Sequence, residues 1–159
     1  MTNVKILIKV KGDKEIERAY SEMEKKFEQP REPMVRTADL MLREILRNFA
    51  SQGRLFGEPW PPLSPITLGI KRRLGYGDRP PLVRTGLMKR SFRRNLSDKY
   101  RTLILDNPIS YFPFHQLGAP TKRIPRRTML KLDRRRQAMI LKLFIRWVEV
   151  TLKNIFKKK

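Results

Sequence analysis

Cysteine is absent from this 159-residue chain, and histidine occurs once. The first absence excludes disulfides and thiolate metal sites and fits a reducing compartment. The second leaves little for acid–base chemistry, which needs a titrating group held by a partner. Acidic residues are scarce too: 15 Asp and Glu stand against 37 Lys and Arg, a net charge of +22. No apolar run approaches the roughly 20 residues that a membrane span requires. The opening MTNVKILIKVKG alternates basic and apolar residues, with neither the continuous apolar stretch nor the small-residue cleavage site of a signal peptide. The expectation is one domain, residues 1–159, burying about 68–70% of its unfolded surface.

What the chain has in abundance is positive charge, unevenly spread. Residues 1–50 carry 11 basic and 9 acidic side chains, whereas residues 51–159 carry 26 and 6. A surplus of that size favours an anionic partner, be it nucleic acid, a membrane surface or an acidic protein. The bland alternative is a surface that serves solubility alone.

Val4, Ile6, Ile8 and Val10 alternate with lysines and Leu7, the period-2 pattern of a half-buried strand. Gly12-Asp13 turns the chain, with Asp13 suited to cap a helix. Ile16, Ala19/Tyr20, Met23 and Phe27 then recur at helical spacing. Pro30 and Pro33 end that helix and open the next, whose face is Met34, Ala38, Met41/Leu42, Ile45 and Phe49, closing near Gly53. Residues 53–86 hold six prolines and six glycines without strong periodicity, which reads as an extended functional loop. Within it Ser64 and Pro65 are placed to start one short helix through Lys71-Arg72, and Thr85-Gly86 precedes a helical turn at Leu87-Met88. SFRRNLS and YRTLILD flank Ser97-Asp98-Lys99 as a β-hairpin, and RIPRRTMLKL reads as one further strand. Residues 133–159 form a long basic amphipathic helix, capped by Asp133, with Leu141, Phe144/Ile145, Val148, Leu152 and Ile155/Phe156 as its stripe. The predicted class is α+β: a small, mostly antiparallel sheet packed with amphipathic helices, plus the proline-rich loop and the C-terminal helix.

Chemistry is sparse. Asp106 precedes His115 by nine positions, but no serine or cysteine nucleophile motif accompanies the pair. No cluster shows metal-ligand spacing, and the glycines of 53–77 do not form a phosphate-cradling loop. No catalytic, cofactor or metal residue is therefore assigned, and no enzyme is expected. Arg93-Arg94, Lys122-Arg123, Arg126-Arg127 and Arg134-Arg135-Arg136 are placed to neutralise phosphates, with Phe92, Tyr100, Tyr111, Phe112 and Phe114 nearby. No sequence-reading nucleic-acid motif is present. The C-terminal stripe, which includes Trp147, is wider than a membrane anchor needs and is better suited to core or subunit contact.

Three segments matter together: FGEPWPPLSPITLGIKRR, PLVRTGLMKRSF and YFPFHQLGAPTKRIPRRTML. Trp60, Pro62, Leu63, Ser64 and Thr67 fit a Trp-x-Pro-Leu-Ser-x-x-Thr stretch. Leu82, Thr85 and Gly86, with Leu87 or Met88 one place early, fit a Leu-x-x-Thr-Gly-x-Leu turn. Tyr111, His115, Gln116 and Gly118 fit Tyr-x-x-x-His-Gln-x-Gly, and Ile124, Pro125 and Arg127 fit Ile-Pro-x-Arg. In order and spacing these resemble the phage virion-morphogenesis family, the tail-completion or neck proteins of tailed phages, over roughly residues 35–135. Phe112 and Phe114 are bulkier than that pattern, and the C-terminal helix is more hydrophobic and basic.

The resemblance implies a non-enzymatic structural protein of the virion, made in the host cytoplasm, that completes the tail or joins it to the head. It implies a homo-oligomer, a hexameric ring around the DNA passage, with adjoining neck, connector or tail proteins as partners and no membrane or cofactor. Within that frame His115, Gln116 and Gly118 read as a structural loop lock, side chains bonding backbone while Gly118 takes a conformation costly for other residues. Leu55, Phe56, Trp60 and Leu63 are expected at a subunit contact, since the proline-rich segment has too few periodic apolar residues to build its own core. Arg93, Arg94, Arg126 and Arg127 are expected on the DNA side, making non-specific contacts. The alternative is a free basic nucleic-acid-binding protein with non-specific phosphate contacts.

Overall fold

A computed structural model describes residues 13–77 and 79–157. The strand expected over Val4 to Val10 and the cap expected from the Asp13 side chain lie outside what is described. Two helices open the fold, α1 (Asp13–Glu28) and α2 (Arg31–Ala50). A 3-10 turn (Arg54–Phe56), α3 (Pro65–Arg73) and the short α4 (Leu87–Arg90) follow. Next come β1 (Arg93–Ser97), β2 (Thr102–Asp106), α5 (Phe112–Leu117), a second 3-10 turn (Pro120–Lys122) and α6 (Arg134–Lys157). The class is α+β.

The centre is α2. Ala38, Met41, Ile45 and Phe49 recur along one side and are buried, as the 3.6-residue period requires of a helix covered on one face. Ile45 and Phe49 pack with Trp60, Met88 and Met129, while Phe92 and Phe112 border them. Edge-to-face rings tie the cluster together, Phe49 to Trp60 at 5.1 Å and Phe92 to Phe112 at 5.6 Å between centroids. Phe56 and Trp60 therefore belong to the chain's own core, and their expected place at a subunit contact is corrected. An aperiodic loop can still bury single aromatics against a helix, and the indole N–H is satisfied by donating to the Thr128 carbonyl at 3.0 Å. Leu55 and Leu63 are half-buried.

The sheet is one antiparallel hairpin in which Arg93 pairs with Asp106 and Ser97 with Thr102. Its turn uses positive φ at Asp98, Lys99 and Tyr100. Arg94 pairs with Asp39 of α2, and Lys99 with Glu28 of α1 at 2.6 Å. The further strand expected in RIPRRTMLKL does not form. Only Ile124 forms a bridge, to Ala119, and beyond it side chains take backbone groups that a ladder would use. The Gln116 amide accepts from the Met129 and Leu130 N–H groups at 2.8 and 3.1 Å and donates to the Leu130 carbonyl at 2.7 Å. Asn48 donates to the Thr128 carbonyl at 2.9 Å.

Arg136 fastens α6 to this core. Its guanidinium is fully buried, pairs with Glu44 at 3.0 Å and with Asp133, and lies 3.9 Å above the Phe56 ring. It does not face phosphate, as its place in an arginine run implied. Asp133 caps the helix by accepting the Arg136 N–H at 3.0 Å. Burial alone would raise its carboxyl, but the Arg136 N–H and guanidinium outweigh that and hold it below the usual range. Beyond this junction α6 presents Leu141, Ile145 and Phe156 outward. No helix among the described residues is long and apolar enough to cross a membrane.

Candidate functional site

The three sequence segments singled out above converge on one cavity of about 330 Å³. Leu63, Thr67, Ile70 and Lys71 come from α3 and its lead-in, Leu82 and residues 84–88 from the next segment, and Tyr111, His115 and Arg127 from the last. Local chemistry fixes each wall. Ser64 accepts the Thr67 N–H at 3.2 Å with Pro65 in the first helical position, so α3 starts where the sequence indicated. Gly86 adopts a left-handed φ of 76° at the start of α4. Asn107 then donates to the Met88 carbonyl at 2.8 Å, holding α4 beside the hairpin.

The cavity walls are apolar and its floor is positive. Arg127 is only 5% exposed. Its Nε and Nη2 donate to the Pro61 carbonyl at 3.1 and 3.0 Å, and Nη2 also reaches the Pro62 carbonyl at 3.2 Å. No carboxylate pairs with it among the described residues. Arg127 cannot lie on a DNA-facing surface, and that expectation is corrected: the Pro61 and Pro62 carbonyls hold its guanidinium inward, whereas Arg126 is exposed. Lys71, also buried, donates to the Arg79 carbonyl and to the Pro80 carbonyl at 3.4 Å.

His115 stands beside Arg127, whose backbone N–H donates to the His115 carbonyl at 2.7 Å. Burial first, and the Arg127 charge second, push the imidazole below its usual range. Its Nδ1 is buried without a hydrogen-bond partner, so this nitrogen does not bond backbone as a lock would have it. Gln116 makes the three backbone bonds described above. Gly118 has φ 82° and ψ 157°, a conformation essentially restricted to glycine. A Cβ there would also lie 3.2 Å from the Arg126 nitrogen.

Of the other arginines, Arg93 is exposed on β1, Arg94 is held by Asp39, and Arg126 reaches Glu58 at 3.4 Å. Glu58 also pairs with Lys131 at 2.6 Å and accepts from Thr128. The Lys131 and then the Thr128 hydrogen bond keep its carboxyl below the usual range. The four arginines thus do not form one free row. A larger, open cleft of about 1250 Å³ between α1, α2 and α6 carries both signs, with Glu32 and Asp39 opposite Arg43, Lys142 and Arg146. Its mixed lining does not single out anions.

The 330 Å³ cavity is a socket. It offers apolar contact beside the charged side chains of Lys71, Arg84 and Arg127. No group of His, Asp and Glu suited to a metal ion occurs among the described residues. The sequence marked Leu63, His115 and Arg127 but missed Lys71, Arg84 and Leu87 as their neighbours in space. The only hint was that all sit inside or next to the recurring motifs.

No curated protein and no solved structure matches the chain. A family match spans residues 12–149, wider than the 35–135 over which the motifs lie, and takes in α1, the core, the socket and much of α6. With so much of its length accounted for, the chain belongs to the phage virion morphogenesis family.

Proposed function

We infer that the chain is a structural component of the phage neck, a tail-completion protein that forms a ring at the head–tail junction around the DNA passage. The observation that carries this reading is the convergence of the three motif segments on one outward-opening socket, in a chain matched to virion morphogenesis over residues 12–149. A socket of apolar walls over a buried cation suits protein–protein docking, and adjoining neck, connector or tail proteins are its natural occupants besides further copies. The role is structural rather than catalytic. The exposed Arg93, with Arg94 and Arg126, supplies non-specific contact to passing DNA.

The test is assembly without this protein. Lysates lacking it should contain filled heads and separate or incomplete tails, and adding the purified chain should restore joined particles. Complete infectious particles in its absence would overturn the reading. The competing reading, a free basic nucleic-acid-binding protein with non-specific phosphate contacts, predicts tight duplex binding at physiological salt. The structural reading predicts weak binding that falls steeply with salt and is weakened further by replacing Arg93, Arg94 and Arg126.

A further inference from the structure

In a chain of net charge +22, one helix runs against the trend. α1 holds six of the 15 acidic residues against four basic ones, and is the only helix among the described residues with a net negative charge. At 100° per residue, Ile16, Glu17, Tyr20 and Glu24 share one side of α1, while Lys14, Arg18 and Lys25 lie on the other. On that side the apolar pair stands next to the acidic one: Ile16 is 64% and Tyr20 65% exposed. Glu17 and Glu24 form no ion pair within the chain among the described residues. Large apolar side chains left outside beside unpaired carboxylates suit a contact surface.

The socket is its complement. Ile70 and Leu87, on its rim, are 44% and 47% exposed, and Ile66 beyond them is 77% exposed. Arg84 is exposed at the same rim. On the floor, Arg127 is compensated by carbonyls alone, although buried charges are normally paired with an opposite one.

We propose that α1 of one copy docks into the socket of the next, with Ile16 and Tyr20 entering between α3 and α4 and Glu17 and Glu24 meeting Arg84 and the Arg127 floor. The two surfaces are different patches of the same chain, so the contact is heterologous. Repeated, it generates a ring wherever its rotation closes. It also resolves how copies of so basic a chain can adjoin, since each interface sets the one acidic helix against a basic rim. The inference rests on the ring reading above and names its interface.

Because the chain has no cysteine, an introduced pair reports without background. Particles assembled with Tyr20→Cys/Leu87→Cys protein and treated with a short bismaleimide should yield a ladder of covalent multimers of this chain. Either single variant should yield at most dimers. Glu17→Lys with Glu24→Lys should cut the ladder about tenfold or more, and adding Arg84→Glu should restore part of it. If the protein is present at the head–tail junction but the double variant shows no more than the singles, this docking is wrong while the ring reading stands. A cross-link from position 87 to a different virion protein likewise overturns the α1 assignment. Complete particles without the protein overturn both.

Discussion

Two arginines are buried in this molecule, and their charges are handled in opposite ways. Arg136 meets two carboxylates, Glu44 and Asp133, and is sealed beneath Phe56. Arg127 meets only the carbonyls of Pro61 and Pro62, at the edge of a cavity. The first arrangement neutralises the charge within the chain, although Nε keeps no partner, and it fastens α6 to α2. The second leaves a positive charge, held by carbonyls alone, at the wall of an open cavity.

The contrast breaks most visibly at Arg136. Arg136→Met leaves Glu44, 2% exposed, with only its bond to the exposed Arg47. A loss of about 3–5 kcal/mol is expected from chemical unfolding. Changing Glu44→Leu in the same chain should recover most of it, because the cost lies in the unpaired charge. Gly118→Val comes next, at about 1–3 kcal/mol, since a β-branched residue must adopt the glycine-only conformation against Arg126. Proteolysis within residues 119–124 should rise with it. Arg127→Met should cost only about 1 kcal/mol, because Pro61 and Pro62 are exposed and their carbonyls can return to water. Its larger consequence should be failure to assemble. An unfolding penalty equal to that of Arg136→Met would erase the distinction.

The smallest effect is on pH dependence. His115 is held below its usual range by burial and the Arg127 charge, so the folded chain binds fewer protons than the unfolded one. Its contribution is therefore complete above about 6.5, the unfolded imidazole value, and is lost as pH falls below it. Glu58 and Asp133, also depressed, add a second loss in the ordinary carboxylate range, near pH 4. Thermal melts of His115→Gln should lack the first decline and keep the second.

Sequence pattern reached the elements whose reason is local. The α2 face, the Ser64 cap, the hairpin and the long C-terminal helix each follow from period or capping chemistry within a few residues. It failed where the deciding partner is distant. Nothing local to RIPRRTMLKL says that Gln116, Asn48 and Trp60 will take its backbone groups, so it read as a strand. Arg126 and Arg127, like Arg135 and Arg136, are identical neighbours in sequence with opposite fates. Phe56 and Trp60 looked unhoused because an aperiodic loop cannot form a core, although it can contribute to one. The socket was legible only as three motifs in series, with no sign that they meet.

The Thr128 carbonyl, shared by Asn48 and Trp60 across sequence separations of 80 and 68 residues, also sets a timetable for synthesis. At about 5–20 residues per second, Asn48 leaves the ribosome's catalytic centre roughly 4–16 s before its acceptor is made. Glu44 waits longer still for Arg136, 92 residues downstream. The nascent chain must carry part of its central helix uncovered until Thr128, Met129 and Arg136 are made, with that part of its face open to chaperones or to other nascent copies. Productive folding is thus a late event, gated by the last third of the message, and truncations that remove this third should yield no folded intermediate at all.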